Sequence, residues 1–252
     1  MSGSDGEQEE SCSPPARSPK PPSIHPATYS AELVGPICDL LSEFHLEGGR
    51  LLDPFGGLGH RLAEMAGILR MSPTAVEIEQ GYFLANATHP CVVMGDSTAL
   101  RFPSAYFDAA VTSPAYPNGI SDDFISREPS IRHTYAHRLR YHFGAEYRLH
   151  PNNTGGMSPR RSPATLSKFY EVNALVYAEV RRVLRPGAPF VVNVKDTLSV
   201  PFRQHTIEQL TETGFDLVNE VSVGARGLNH GKNRERKQRS EHLLVFLNSP
   251  VS

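Results

Sequence analysis

Leu51 to Gly59 reads LLDPFGGLG. Two apolar residues run into a carboxylate, then a Pro-Phe pair, then three glycines within four positions. An apolar stub that ends in Asp and passes into a glycine turn predicts a strand entering a ligand-binding loop. The following stretch, His60 to Arg70, carries Leu62, Met65, Ile68 and Leu69 at helical spacing. Strand, glycine turn and helix together form the geometry in which backbone N–H groups and a helix N-terminus face a ligand. Glycine serves there because a side chain would block close approach and because some turn positions want positive φ. The nucleoside-triphosphate pattern G-x-x-x-x-G-K-S/T is absent, and so is the dinucleotide spacing G-x-G-x-x-G.

Working outward from this stretch, short apolar runs alternate with helical patterns. Upstream, Ala31 to Leu46 has a helical apolar pattern, with Pro36 placing the regular part after it. Downstream come a strand at Thr74 to Ile78, a helix over Gln80 to Thr88, and strands at Cys91 to Met94 and Phe107 to Thr112. Residues 117–167 show no core pattern, and so long a gap inside a compact domain marks a functional insertion. Lys168 to Leu184 is an amphipathic helix (Phe169, Val172, Leu175, Val176, Val180, Val183, Leu184) stopped by Arg185-Pro186-Gly187. A strand at Phe190 to Val194, a helix over Gln204 to Thr213, and strands at Phe215 to Val223 and His242 to Leu247 complete the pattern. The alternation predicts an α/β fold, a doubly wound and mostly parallel sheet closed by a C-terminal antiparallel hairpin. Residues 1–23, rich in Ser, Pro and Glu, have little to bury and read as a disordered acidic tail, with the folded domain over 24–252.

Composition narrows the class. The chain has 252 residues, enough for one α/β domain. Formal net charge is −2, so a nucleic-acid surface would have to be a local patch. The three cysteines, Cys12, Cys38 and Cys91, form no C-x-x-C pair, which predicts neither a disulfide framework nor a zinc site and fits a reducing cytoplasm. Cys91, opening an apolar strand, reads as core. No apolar run is long enough to span a membrane, and the N-terminus lacks the pattern of a secretory signal. His133 and His137 stand four apart without a positioned third ligand, so no metal is expected.

Acidic residues fall at three successive strand ends: Asp53, Glu77 and Asp96. A carboxylate after the second strand can accept both hydroxyls of a ribose, with Glu79 as a nearby competitor of Glu77. Asp96, followed by Ser97, can accept from an adenine amino group, and Asp53 can face a cationic ligand. Hydrogen bonds to a charged acceptor contribute roughly 1.5–3 kcal/mol each.

With Thr112-Ser113-Pro114-Ala115-Tyr116 added, the chain resembles the class I S-adenosylmethionine-dependent DNA amino-methyltransferases. Asp53, Pro54, Phe55, Gly57 and Gly59 match that family's cofactor loop, D-P-F-x-G-x-G. Ser113, Pro114 and Tyr116 match its catalytic loop, D/N/S-P-P-Y/F/W, with Ala115 in place of the second Pro. The segment from His25 through Thr28 and Tyr29 is similar to its additional cofactor motif. His150 to Met157 (HPNNTGGM) is similar to a stretch in predicted DNA methylases of phages and actinobacteria.

The resemblance implies a Rossmann-like class I methyltransferase fold, S-adenosyl-L-methionine as cofactor, and double-stranded DNA as partner in the cytoplasm of a bacterial or phage-infected cell. It implies transfer of a methyl group to the exocyclic amine of a flipped base. Ser113 and the Pro114 carbonyl would accept from that amine and favour a pyramidal nitrogen, while Tyr116 would stack on the extruded base. Ser at the first position of the loop favours cytosine N4 over adenine N6. Two basic regions are candidate DNA contacts: Arg132, Arg138 and Arg140 among interleaved aromatics, and Arg226, Arg234 and Arg236 in a loop near the C-terminus. The alternatives are the same fold acting on RNA or on a protein glutamine, and a catalytically inactive DNA-binding regulator, which the Ala115 departure favours.

Overall fold

The computed structural model describes residues 30–85, 90–114, 150–154, 157, 163–195, 201–224 and 240–250. Seven strands form one sheet: β1 (Arg50–Asp53), β2 (Ser72–Glu77), β3 (Val92–Met94), β4 (Ala109–Thr112), β5 (Pro189–Val194), β6 (Phe215–Gly224) and β7 (Ser240–Asn248). Their spatial order is β3-β2-β1-β4-β5-β7-β6. The first five pair in parallel, and β7 is antiparallel to both β5 and β6. This is the doubly wound, mostly parallel sheet with a C-terminal antiparallel hairpin that the sequence predicts.

Period-two alternation divides the core between the two faces of the sheet. Leu51, Ala75, Val92, Val111, Val191 and Val245 point to the face covered by α1 (Ala31–Ser42) and α2 (His60–Leu69). Leu52, Val76, Ala110, Phe190, Val192 and Phe246 point to the other, under α4 (Pro163–Val183) and α5 (Phe202–Thr213). A short α3 (Gln80–Ala85) follows β2. Burial on both faces explains why β1, β4 and β5 read as continuous apolar runs rather than as alternating ones.

Asn248, at the end of β7, closes the sheet onto α4. Its buried Nδ2 donates to the carbonyls of Arg181, Leu184 and Arg185, which lie where α4 ends and have no helical partner.

Several local expectations are corrected. α1 begins at Ala31 and runs through Pro36. The Ser30 hydroxyl caps it by accepting from the Glu32 amide, and Gly35 has no Cβ to clash with the proline ring that follows. In α2, Ile68 is 59% exposed, and Ala66 takes its place on the buried face with Leu62, Met65 and Leu69. In α4, Leu175 is 52% exposed, and the helix starts at Pro163, five residues before the expected Lys168. Proline suits a first helical turn because its missing N–H has no partner there. Cys91 is buried, as its place in the apolar pattern predicts.

Candidate functional site

Because β1 to β5 are parallel, their carboxyl ends share one edge of the sheet. Asp53 ends β1, Glu77 ends β2, Asp96 follows β3 and Ser113 follows β4. The structure therefore brings together Asp53, Pro54, Phe55, Gly57, Gly59, Glu77, Asp96, Ser97, Ser113 and Pro114. Thr28, Tyr29, Tyr116, Arg132, Arg138, Arg140, Arg226, Arg234 and Arg236 lie outside the described residues, as do His133 and His137.

The glycine loop is fixed from three directions. Asp53, 1% exposed, accepts at Oδ1 from the Phe55 amide (3.0 Å) and from the Thr112 hydroxyl (2.8 Å). The first contact turns the chain after β1, and the second ties that turn to the residue preceding Ser113. The Gly56 amide donates to the Val76 carbonyl at 3.0 Å, pressing the loop against β2. A Cβ on Gly56 would stand 2.4 Å from the Ala75 Cβ, so only glycine fits. The Ser97 hydroxyl donates to the Pro54 carbonyl at 2.6 Å, joining the loop after β3 to the loop after β1. Gly59 caps α2 in a left-handed conformation (φ 69°) and supplies no side-chain partner to the helix. The positive end of α2 is thus left facing the loop.

The acidic residues are held by short hydrogen bonds. Glu77 accepts at Oε1 from the Glu79 amide at 2.7 Å. Asp96 accepts at Oδ1 from the Thr98 amide (2.9 Å) and hydroxyl (2.8 Å). Burial opposes ionisation of Asp96, but hydrogen bonds from Thr98 and Asn152 and the nearby His150 outweigh it and hold the carboxyl below its usual range. Glu79 goes the other way. It is 4% exposed, and burial, with Glu77 adding repulsion, raises its carboxyl despite bonds from His150 and Asn153.

At the end of β4, Ser113 is half-buried and Pro114 buried. Asn193, on β5, donates through Nδ2 to Ser113 Oγ at 3.3 Å and to Glu241 Oε2 at 2.8 Å. Lys195 Nζ lies 3.9 Å from the other Glu241 oxygen. A hydroxyl oxygen has two lone pairs, so one remains to accept from a substrate.

Sequence reasoning missed Asn193, Glu241 and the tie between Asp53 and Thr112, whose partners lie tens of residues apart in the chain. It singled out the HPNN stretch but gave it no role. Among the described residues no group of three His, Cys, Asp or Glu could hold a metal ion, and no helix is long and apolar enough to cross a membrane.

The chain matches no protein-family model and no curated protein. Solved structures do match. A SAM-dependent methyltransferase from Methanosarcina mazei aligns with 83% of this chain and 97% of its own, at 12% identity and TM-score 0.51. A methyltransferase from Pyrococcus furiosus aligns over 88% of this chain and 84% of its own, at 14% identity and TM-score 0.51. The cyclase SpnF aligns over 86% and 82%, at 16% identity and TM-score 0.50. The architecture is therefore the class I methyltransferase fold. A cyclase among its neighbours shows that the fold alone does not set the reaction, which has to be argued from the site.

Proposed function

We propose that the chain is an S-adenosylmethionine-dependent methyltransferase acting on an exocyclic amine in DNA, with cytosine N4 favoured over adenine N6. The observation that carries this reading is the bond between Asp53 and Thr112. It joins the glycine loop to the residue before Ser113-Pro114, so a cofactor cradle and a pair of amine acceptors share one edge. The cradle suits the cofactor: close-approach glycines, a helix N-terminus, and carboxylates after β2 and β3 for ribose and adenine. When bound, S-adenosylmethionine supplies an electrophilic methyl group on a sulfonium.

The protein's part is positioning. Ser113 Oγ, held by Asn193, and the Pro114 carbonyl accept the two hydrogens of the amine, which turns its lone pair out of conjugation with the ring. Tyr116 stacks on the extruded base. DNA as substrate is supported by where the basic stretches join the sheet. The run containing Arg226, Arg234 and Arg236 connects β6 to β7, whose ends Gly224 and Ser240 pair with each other. These ends lie beyond the pairing of Val194 with His242, at the edge that carries Ser113. The stretch containing Arg132, Arg138 and Arg140 leaves the same edge at Pro114 and rejoins it at His150, whose amide donates to Glu79 at 2.7 Å.

The test is transfer of labelled methyl groups to duplex DNA, RNA and protein, with modified-base detection on the DNA. Duplex DNA should be labelled, and Ser113→Ala should abolish labelling while cofactor affinity stays at the parent value. Labelling of RNA or protein in preference to DNA refutes the substrate. Parent-rate labelling by Ser113→Ala refutes the catalytic assignment.

A further inference from the structure

Residues 150–154 come from the insertion between β4 and α4, yet they dock on Asp96 after β3 and on Glu79 in the loop after β2. Asn152 Nδ2 donates to Asp96 Oδ2 at 2.8 Å and lies 3.3 Å from Thr98 Oγ1. Asn153 Nδ2 and the His150 amide both donate to Glu79 Oε1 at 2.7 Å. Thr154 is 2% exposed, and Met157 is buried in a cluster with Phe169, Val172 and Phe202. The segment is thus a built wall of the site, anchored to α4 and α5 on one side and to the loops after β2 and β3 on the other.

These contacts divide the carboxylates by role. Glu79 receives two donors from the segment at one oxygen and serves as its anchor, which leaves Glu77 as the ribose acceptor. Asp96 is filled more completely. A carboxylate offers about four acceptor positions. Oδ1 receives two donors from Thr98 and Oδ2 one from Asn152, so a single position remains, on Oδ2. Asn152 fixes which oxygen and which direction that is. The bonds are charge-assisted and therefore short and strong.

We infer that Asn152 is a specificity-determining positioning residue, which orients Asp96 so that the pocket selects a nucleoside cofactor bearing a 6-amino group on its purine. The inference rests on the cofactor reading of Asp96 under Proposed function. Asn152 itself does not touch the purine; it acts through Asp96.

The experiment is calorimetry on the full chain with two ligands, S-adenosylhomocysteine and S-inosylhomocysteine, which differ in the 6-substituent. The parent should prefer the adenosyl compound. Asn152→Ala should reduce that preference by about tenfold, the adenosyl compound losing affinity and the inosyl compound changing little. Asn152→Asp, which puts a second carboxylate beside Asp96, should reduce it at least as far. Asn153→Ala loosens the same segment through Glu79 without touching Asp96, and it should weaken both ligands equally. Equal weakening of both ligands by Asn152→Ala reduces Asn152 to a structural residue and overturns the inference, as does an unchanged preference. In either case adenosyl binding by the parent leaves the cofactor reading standing. If the parent binds neither ligand, the cofactor reading falls and this inference with it.

Discussion

Adding one methyl group at Gly56 tests the reasoning behind the cofactor loop. The Cβ of Gly56→Ala would meet Ala75 Cβ at 2.4 Å, Ala75 Cα at 2.7 Å and the Ala75 carbonyl carbon at 2.9 Å. Carbon atoms rest about 3.5–4.0 Å apart, so a retreat of about 1 Å or more is required. Ala75 cannot supply it: it is a fully buried residue of β2, a strand paired on both sides. The loop must move instead. That stretches the bond from the Gly56 amide to Val76 and strains the bond from Ser97 to the Pro54 carbonyl. Overpacking of this kind costs about 1–3 kcal/mol. For a chain of this size each kcal/mol lowers the melting temperature by about 2–4 °C, giving a drop of roughly 2–12 °C. A displacement of about 1 Å at a positioned site can cost on the order of a hundredfold in function, so S-adenosylmethionine affinity should fall by at least tenfold. Gly67→Ala is the matched control. It lies within α2, where an added Cβ meets nothing within 4 Å, and it should stabilise by about 0.5–1 kcal/mol through helix propensity. Thermal melting and calorimetry read both variants. A Gly56→Ala protein that melts with the parent and binds the cofactor equally well would show that the loop does not press on β2.

Substitutions at three further positions probe bonds at the site edge and, for Asn248, at the opposite end of the sheet. Asp53→Asn retains an acceptor for the Phe55 amide and the Thr112 hydroxyl, whereas Asp53→Ala leaves both donors unmet; urea denaturation should place the alanine variant about 2–4 kcal/mol below the parent and the asparagine variant between them. For Glu79, burial puts the folded pKa above the unfolded one, so the stability associated with its neutral form is present below the unfolded pKa and lost as pH rises through the folded one. Glu79→Gln keeps an acceptor for His150 and Asn153 and should therefore equal or exceed the parent in urea at neutral pH, an advantage that disappears toward about pH 4; a glutamine variant clearly weaker at neutral pH would mean that the charge is needed. Asn248→Ala removes the side-chain donor to the Arg181 and Leu184 carbonyls at the end of α4, while Arg185 keeps the Ala188 amide, and it should lower stability by about 1–3 kcal/mol in thermal melts without altering cofactor affinity.

The sequence by itself determined the elements and their order. Continuous apolar runs marked the central strands buried on both faces, glycines marked a ligand-binding turn, and carboxylates at three successive strand ends marked one edge. Local chemistry carries such signals, because burial, turn geometry and periodicity act over a few residues. Errors arose where a local rule met a compensating neighbour. Pro36 sits inside α1 because Gly35 relieves its ring and Ser30 caps the helix upstream. Ile68 fits a helical stripe but faces away from the sheet.

What only the tertiary structure decided is which side chains meet across the edge. Thr112 reaches Asp53, Asn193 reaches Ser113, and Asn152 and Asn153 reach Asp96 and Glu79. No spacing in the chain encodes these pairs, since each forms between residues some 55 to 80 positions apart. They exist because parallel strands deliver their carboxyl ends to one place, and because an insertion without a periodic pattern is free to return there. LLDPFGGLG and TSPAY could thus be read as two loops of one fold, while the hydrogen bonds that join them into a single site depended on the sheet being built.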